Sequence, residues 1–237
     1  MASPRATGNR RGAIAKRETE IQRRIFSGLG VALVALLLVI LVSAFKRLGL
    51  YEEVYGFSRL RTYTHVFLVW IGLLLIATIA LEILRKEHMF TFAMLIASLG
   101  FAISLPILNV DAFIVDQNIH REVRAQANDS ANLDTQYFLN LSDDAIPALV
   151  SAYQTSTLPA SVREKVGASL ACIHYQRGLD TREPSWQAFR FATLNADKAL
   201  ASVKIDLKEY PVISTDYPVT VAMPSGEEFS CGVDYSD

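Results

Sequence analysis

The chain has 237 residues, of which 51% are hydrophobic and 20% charged, and its formal net charge is −1. That length admits two folding units of ordinary size. From residue 110 onward, eighteen Asp and Glu stand against ten Lys and Arg, an acidic balance that argues against nucleic-acid binding.

Residues 1–24 carry seven basic side chains (Arg5, Arg10, Arg11, Lys16, Arg17, Arg23, Arg24) against Glu18 and Glu20. With Gly, Ala, Ser and Pro in its first part, this tail is expected to be disordered and to act as a topology signal. Three apolar runs follow, Ile25–Phe45, Tyr63–Leu81 and Met89–Leu108, none containing Lys, Arg, Asp or Glu. At 1.5 Å per residue, about 19 residues cross a hydrocarbon core of about 30 Å. Transmembrane helices are therefore predicted over about 25–45, 63–84 and 89–108. The first run exceeds the 7–15 residues typical of a signal-peptide core. Lys46-Arg47 also stands where small residues would precede cleavage, so the first helix reads as retained.

Orientation follows from the flanking cations. The tail and the Arg85–His88 loop carry nine basic residues, and the 46–62 loop carries four (Lys46, Arg47, Arg59, Arg61). The expectation is a cytoplasmic N-terminus and, after three crossings, an extracytoplasmic C-terminal region. Within the spans, Ala93, Ala97, Ser98 and Ala102 sit at the four-residue spacing that suits close helix packing. No ionisable residue lies deep in any span; His65 is near one end and Glu82 near the other. Such residues usually mark ion paths. Three dry helices read as an anchor or as part of a larger bundle.

Beyond Asn109, residues 110–203 read as four short antiparallel helices forming an extramembrane domain. The first leaves the membrane with Phe113, Ile119 and Val123 on one stripe, and Asp116 and His120 as i,i+4 neighbours. That spacing suits two metal ligands, but no third is near, and a surface pair is the preferred reading. A second helix spans Asp143–Tyr153, capped by Ser142 or Asp143. A third opens at Pro159 with Val162, Val166, Leu170 and Ile173 as its apolar face and Gly178 as its end. A fourth follows Pro184 with Trp186, Phe189, Thr193, Ala196 and Leu200. Residues 204–237 alternate instead. Val219, Val221 and Met223, a Pro224–Glu227 turn, then Phe229, Cys231, Val233 and Tyr235 predict a β-hairpin packed on the helices, with Ile205 and Leu207 as a third strand. The fold class is mainly α: three transmembrane helices, then a small helical domain ending in a hairpin.

Cys172 and Cys231 leave two readings open, a disulfide or two buried thiols. A bridge would close a loop of about 60 residues and stabilise by roughly 3–4 kcal/mol in the chain-entropy model. Asn128-Asp-Ser130 and Asn140-Leu-Ser142 form sequons that matter only in a eukaryotic secretory pathway.

The segment Lys46-Arg-Leu-Gly-Leu-Tyr-Glu-Glu-Val-Tyr-Gly-Phe-Ser-Arg-Leu-Arg61 resembles the LYxxxYGLTRLR stretch of a bacterial multi-pass membrane family, the domains of unknown function numbered 4153 and 4173. Asn109-Val-Asp111-Ala112 stands where that family has NPDA, and Leu133-Asp134, Tyr137-Phe-Leu139 and Leu141–Leu149 resemble its later landmarks in the same order. The resemblance covers roughly residues 30–200. It implies a bacterial cytoplasmic membrane and a chain corresponding to the C-terminal part of longer members. It brings no activity, cofactor or catalytic residue. Read physically, Tyr51, Tyr55 and Tyr63 suit the headgroup boundary, and Gly56 suits a tight turn. Arg59 and Arg61, with Tyr55 and Tyr63, are candidate lipid or anion contacts, beside a purely structural reading of the same motif.

The preferred functional expectation is a membrane-anchored scaffold or interaction module, with the bilayer and a protein partner or second copy as its contacts. The alternative is a subunit or fragment of a transporter, channel or lipid-handling assembly. An enzyme is not expected. Asp111, Asp116, His120 and His174 are scattered, and no nucleophile elbow, phosphate loop or metal cluster is visible. No catalytic, metal or cofactor site is assigned.

Overall fold

A computed structural model describes residues 5–126, 133–179, 191–203, 206–215 and 218–232. Helix α1 runs without a break over Arg5–Tyr55. The tail expected to be disordered is thus helical from Arg5. Ala13–Arg24 is rich in Ala, Arg, Lys, Glu and Gln, all good helix formers, and extending an existing helix avoids the nucleation cost. Gly56, at φ 81°, ends the helix, and its N–H donates to the Glu52 carbonyl at 2.9 Å. Helix α2 covers Arg59–Ile83. It closes with Arg85 in the left-handed region and a 2.9 Å bond from Lys86 N–H to the Leu81 carbonyl, the Schellman pattern without its usual glycine. A 3-10 turn, Glu87–Met89, leads into α3, Phe90–Leu108. The Ile21–Tyr55 stretch of α1, α2 and α3 are each long and apolar enough to cross a membrane, and by that measure the chain is a membrane protein.

Contacts divide the chain into two units. One holds residues 1–50 and 63–104. Its apolar side chains face outward along most of their length. Internal packing runs through glycines and aromatic rings. A Cβ on Gly72 would sit 3.0 Å from Leu41, and Gly100 lies against the Trp70 ring with no room for a side chain. Trp70 Nε1 donates to Ser104 Oγ at 3.2 Å, Phe67 meets Phe101 edge-on at 5.8 Å, and Phe45 meets His65 at 4.5 Å. Close approach in this unit therefore centres on Gly72 and Gly100; Ser98 and Ala102 are exposed.

The second unit holds residues 51–62 and 105–237. Asn109, at φ 45°, separates α3 from α4, Val110–Gln126. Asn tolerates this conformation better than most side chains. After the short α5 (Gln136–Leu139) and a 3-10 turn at Asp143–Ala145 come α6 (Ile146–Gln154), α7 (Ala160–Leu179) and α8 (Phe191–Val203). Helix α7 supplies the centre of the core: Val162, Val166, Leu170 and Cys172 are fully buried, beside Phe138, Leu149 and Val221. Three antiparallel strands, β1 (Val212–Ser214), β2 (Thr220–Ala222) and β3 (Glu228–Ser230), form a sheet in that order. Val221 pairs with Phe229, and Gly226 at φ 89° makes the turn.

Several details differ from expectation. The third strand is Val212–Ser214; Leu207 lies in a 3-10 turn, Asp206–Glu209, and Ile205 lies outside the described residues. Val233, Tyr235, Trp186, Phe189 and Asn128–Asn132 also lie outside them. Helix α7 continues past Gly178 to Leu179. Neither Ser142 nor Asp143 caps α6. Ser142 makes no side-chain cap bond, and the Asp143 carboxylate accepts from Arg177 and from Thr193 Oγ1.

Candidate functional site

The second unit is organised around the segment Tyr51–Thr62, which α4 and α5 hold by polar contacts. The end of α1 and the start of α2 expose backbone groups that need partners. Asn118 of α4 accepts from Phe57 N–H at 2.7 Å and donates to the Phe57 carbonyl at 3.0 Å, pairing with one residue as a strand neighbour would. Arg121, one turn on, donates from Nη1 to the Val54 carbonyl at 2.9 Å. Arg61 donates from Nη1 to the Gly56 carbonyl at 2.6 Å. The Arg59 N–H, at the head of α2, donates to the Tyr137 hydroxyl at 2.9 Å. Gly56 must be glycine twice over. Its φ is positive, and a Cβ there would stand 2.7 Å from Asn118 Oδ1.

The strongest contact is ionic. The Arg59 guanidinium grips Asp111 in fork geometry, with Nε to Oδ1 at 2.7 Å and Nη2 on Oδ2. Asp111 Oδ2 also accepts the Ser142 N–H at 2.8 Å. Burial on its own would raise the Asp111 pKa. The hydrogen bonds from Arg59 and Ser142, and then the Arg59 charge, outweigh it and hold the carboxyl below its ordinary value. Asp111, Asn118 and Glu122 recur at i, i+7 and i+11 on one face of α4, and all three are buried. Glu122 keeps Oε2 without a hydrogen-bond partner among the described residues, as does Arg121 its Nε.

Of the four residues singled out for lipid or anion contact, Arg59 thus spends its fork on Asp111. Arg61 lies over the Tyr55 ring, 5.9 Å from its centroid. Tyr55 is exposed and stacks on Tyr51, centroids 6.0 Å apart. Tyr63 is exposed and belongs to the first unit. Cys172 and Cys231 form a disulfide with a Cα–Cα distance of 5.3 Å, tying α7 to the end of the sheet. Gln176 Nε2 braces it by donating to the Cys231 carbonyl at 2.9 Å. Asp116 and His120 pair at 3.3 Å on an open surface of α4, and His174, on α7, is partly buried. No cluster of three or more His, Cys, Asp or Glu suited to a metal occurs among the described residues. Sequence reasoning missed Asn118, Arg121 and Tyr137. The available signal was the i, i+7 spacing of Asp111 and Asn118, two polar residues on what had to be a buried face.

Two recesses open on this unit. One, of about 310 Å³, lies between α4 and α6, with Val115, Ile119 and Ala152 in its floor and Asp116, His120, Ser151 and Thr155 at its rim. The other, of about 240 Å³, is lined by Phe138, Leu141, Ile173 and the Asp143–Arg177 pair.

A family model described as a domain of unknown function, DUF4153, matches residues 12–152. That stretch contains every member of the Arg59–Asp111 network and ends before either cysteine. No curated protein and no solved structure matches the chain.

Proposed function

The chain belongs to the DUF4153 family of domains of unknown function, and from that premise we propose a multi-pass anchor that presents a protein-interaction domain on the outer side of a bacterial cytoplasmic membrane. One observation carries the reading. Tyr51–Thr62 joins the first membrane-capable helix to the second and α4 follows the third, yet Arg59, Phe57 and Val54 bond to Asp111, Asn118 and Arg121 within one folded unit. Segments that touch share a side of the membrane, so an even number of crossings, supplied by α2 and α3, separates them. The seven cations of residues 1–24 favour a cytoplasmic N-terminus, which puts the shared side outside. The disulfide supports the same assignment, because such bonds persist in oxidising compartments.

The recess between α4 and α6 is the surface best suited to a protein partner: an apolar floor with a polar rim. A photo-reactive residue at Ser151 in the full chain in membranes tests the reading, with exposed Lys208 as control. A discrete protein adduct from Ser151, absent from Lys208 and recovered in the reciprocal experiment from the identified partner, is expected. Adducts to lipid alone, or identical products from both positions, would overturn it. The outward-facing apolar surface of α1–α3 favours a second reading, a subunit packed laterally in a larger bundle. Protein adducts from Leu36 or Leu99 rather than from Ser151 would select that one.

A further inference from the structure

Around the end of α1, two guanidiniums reach the backbone of residues 54–56 without an ion-pair partner among the described residues. Arg61 and Arg121 each donate Nη1 to a carbonyl of residues 54–56. Arg121 Nη2 also lies 3.2 Å from where a Gly56 Cβ would be. Neither forms an ion pair with a carboxylate among the described residues, whereas Arg59 beside them is held by Asp111. The carbonyls take up one Nη1 of each fork, and Arg121 Nε is buried with no acceptor among the described residues. A guanidinium presents five donors in a plane, and two such forks match the oxygens of a phosphate group.

The surroundings give the site a depth. Arg61 stands two residues, or about 3 Å of helix rise, before Tyr63, where the apolar run of α2 begins. Tyr51 and Tyr55 form an exposed aromatic stack beneath the Arg61 fork. Tyr and Arg in this arrangement belong at headgroup level. We propose that Arg61 and Arg121 together bind a phosphate group, presented by an anionic phospholipid headgroup or as the free anion, with Tyr51 and Tyr55 seating the site at the membrane surface.

The test uses the full chain purified in detergent, with native mass spectrometry after addition of phosphatidylglycerol or phosphatidylcholine and thermal melts with and without inorganic phosphate. The wild type should retain phosphatidylglycerol several-fold over phosphatidylcholine, and Arg61→Gln and Arg121→Gln should abolish the difference. Arg61→Lys keeps the charge and the carbonyl contact but not the fork, so it should retain lipid at an intermediate level while melting like the wild type. Glu53→Gln removes the exposed carboxylate of the segment and should leave retention equal or higher. If phosphatidylglycerol is not preferred but inorganic phosphate raises the wild-type midpoint and not that of Arg61→Lys, the ligand is the free anion at the same site. Equal retention by the wild type, Arg61→Lys and Arg61→Gln, with no phosphate-dependent shift in any of them, would overturn the proposal.

Discussion

Asp111 joins three stretches of chain through one carboxylate: the start of α2 through Arg59, the chain before α6 through Ser142, and its own helix α4. Replacing it with Asn keeps the shape and one acceptor but removes the charge-assisted fork. Because the Arg59 side chain is 37% exposed, solvent screens part of the loss. Asp111→Asn should cost about 1–2 kcal/mol, read as a lower denaturation midpoint in detergent. The pH dependence has a definite sign. The folded-state pKa lies below the ordinary value of 3.8, so the unfolded chain takes up the proton first as pH falls. The contribution is complete above about pH 5 and disappears as pH drops below 3.8 through the folded value. The stability gap between wild type and Asp111→Asn should therefore narrow on acidification. A gap that stays constant down to about pH 3 would show that the carboxylate charge contributes nothing.

The disulfide acts between elements, tying α7 to the residue that follows β3. It joins Cys172 of α7 to Cys231 across 59 positions, with both residues buried. Loop-closure entropy sets the effect of losing it at roughly 3–4 kcal/mol, and Cys172→Ala/Cys231→Ala should show that drop in a urea titration of the full chain. A change below about 1 kcal/mol would mean that packing of Val221 and Phe229 on the core holds the sheet unaided. Elements of this unit were legible where one side chain repeats with the helix. Val162, Val166 and Leu170 mark α7 by spacing alone, and Val221 and Phe229 mark the hairpin by alternation. Strand β1 was not legible. Three residues with two exposed carry no periodic signal, and β1 forms only because β2 offers an edge. The polar site was half legible. Arg59 and Arg61 stand out as cations at a helix entrance, but the partner of Arg59 lies 52 residues away. Asn118 reads as a surface residue until the Phe57 backbone is placed against it. Long-range pairing of polar groups leaves no local pattern, whereas burial of apolar groups does.

At the scale of the whole chain, the parity of the crossings constrains the topology. On the proposed reading, Tyr51–Thr62 and α4 join in one unit because α2 and α3 cross and return, which puts the turn between them on the opposite side. The only cysteines, Cys172 and Cys231, are paired, so a single added thiol reports its own position without background. Lys86→Cys lies in the α2–α3 turn, Glu53→Cys at the end of α1 and Ser151→Cys on α6, and all three sites are exposed. In intact cells a membrane-impermeant maleimide should label Glu53→Cys and Ser151→Cys alike and leave Lys86→Cys untouched until the membrane is permeabilised. Labelling of Lys86→Cys alone in intact cells would invert the chain while preserving the parity, and with it the shared unit. Labelling of Lys86→Cys together with Ser151→Cys would break the parity itself. Then α3 does not cross, and the ion pair between Arg59 and Asp111 needs a route for the chain that three spans cannot provide.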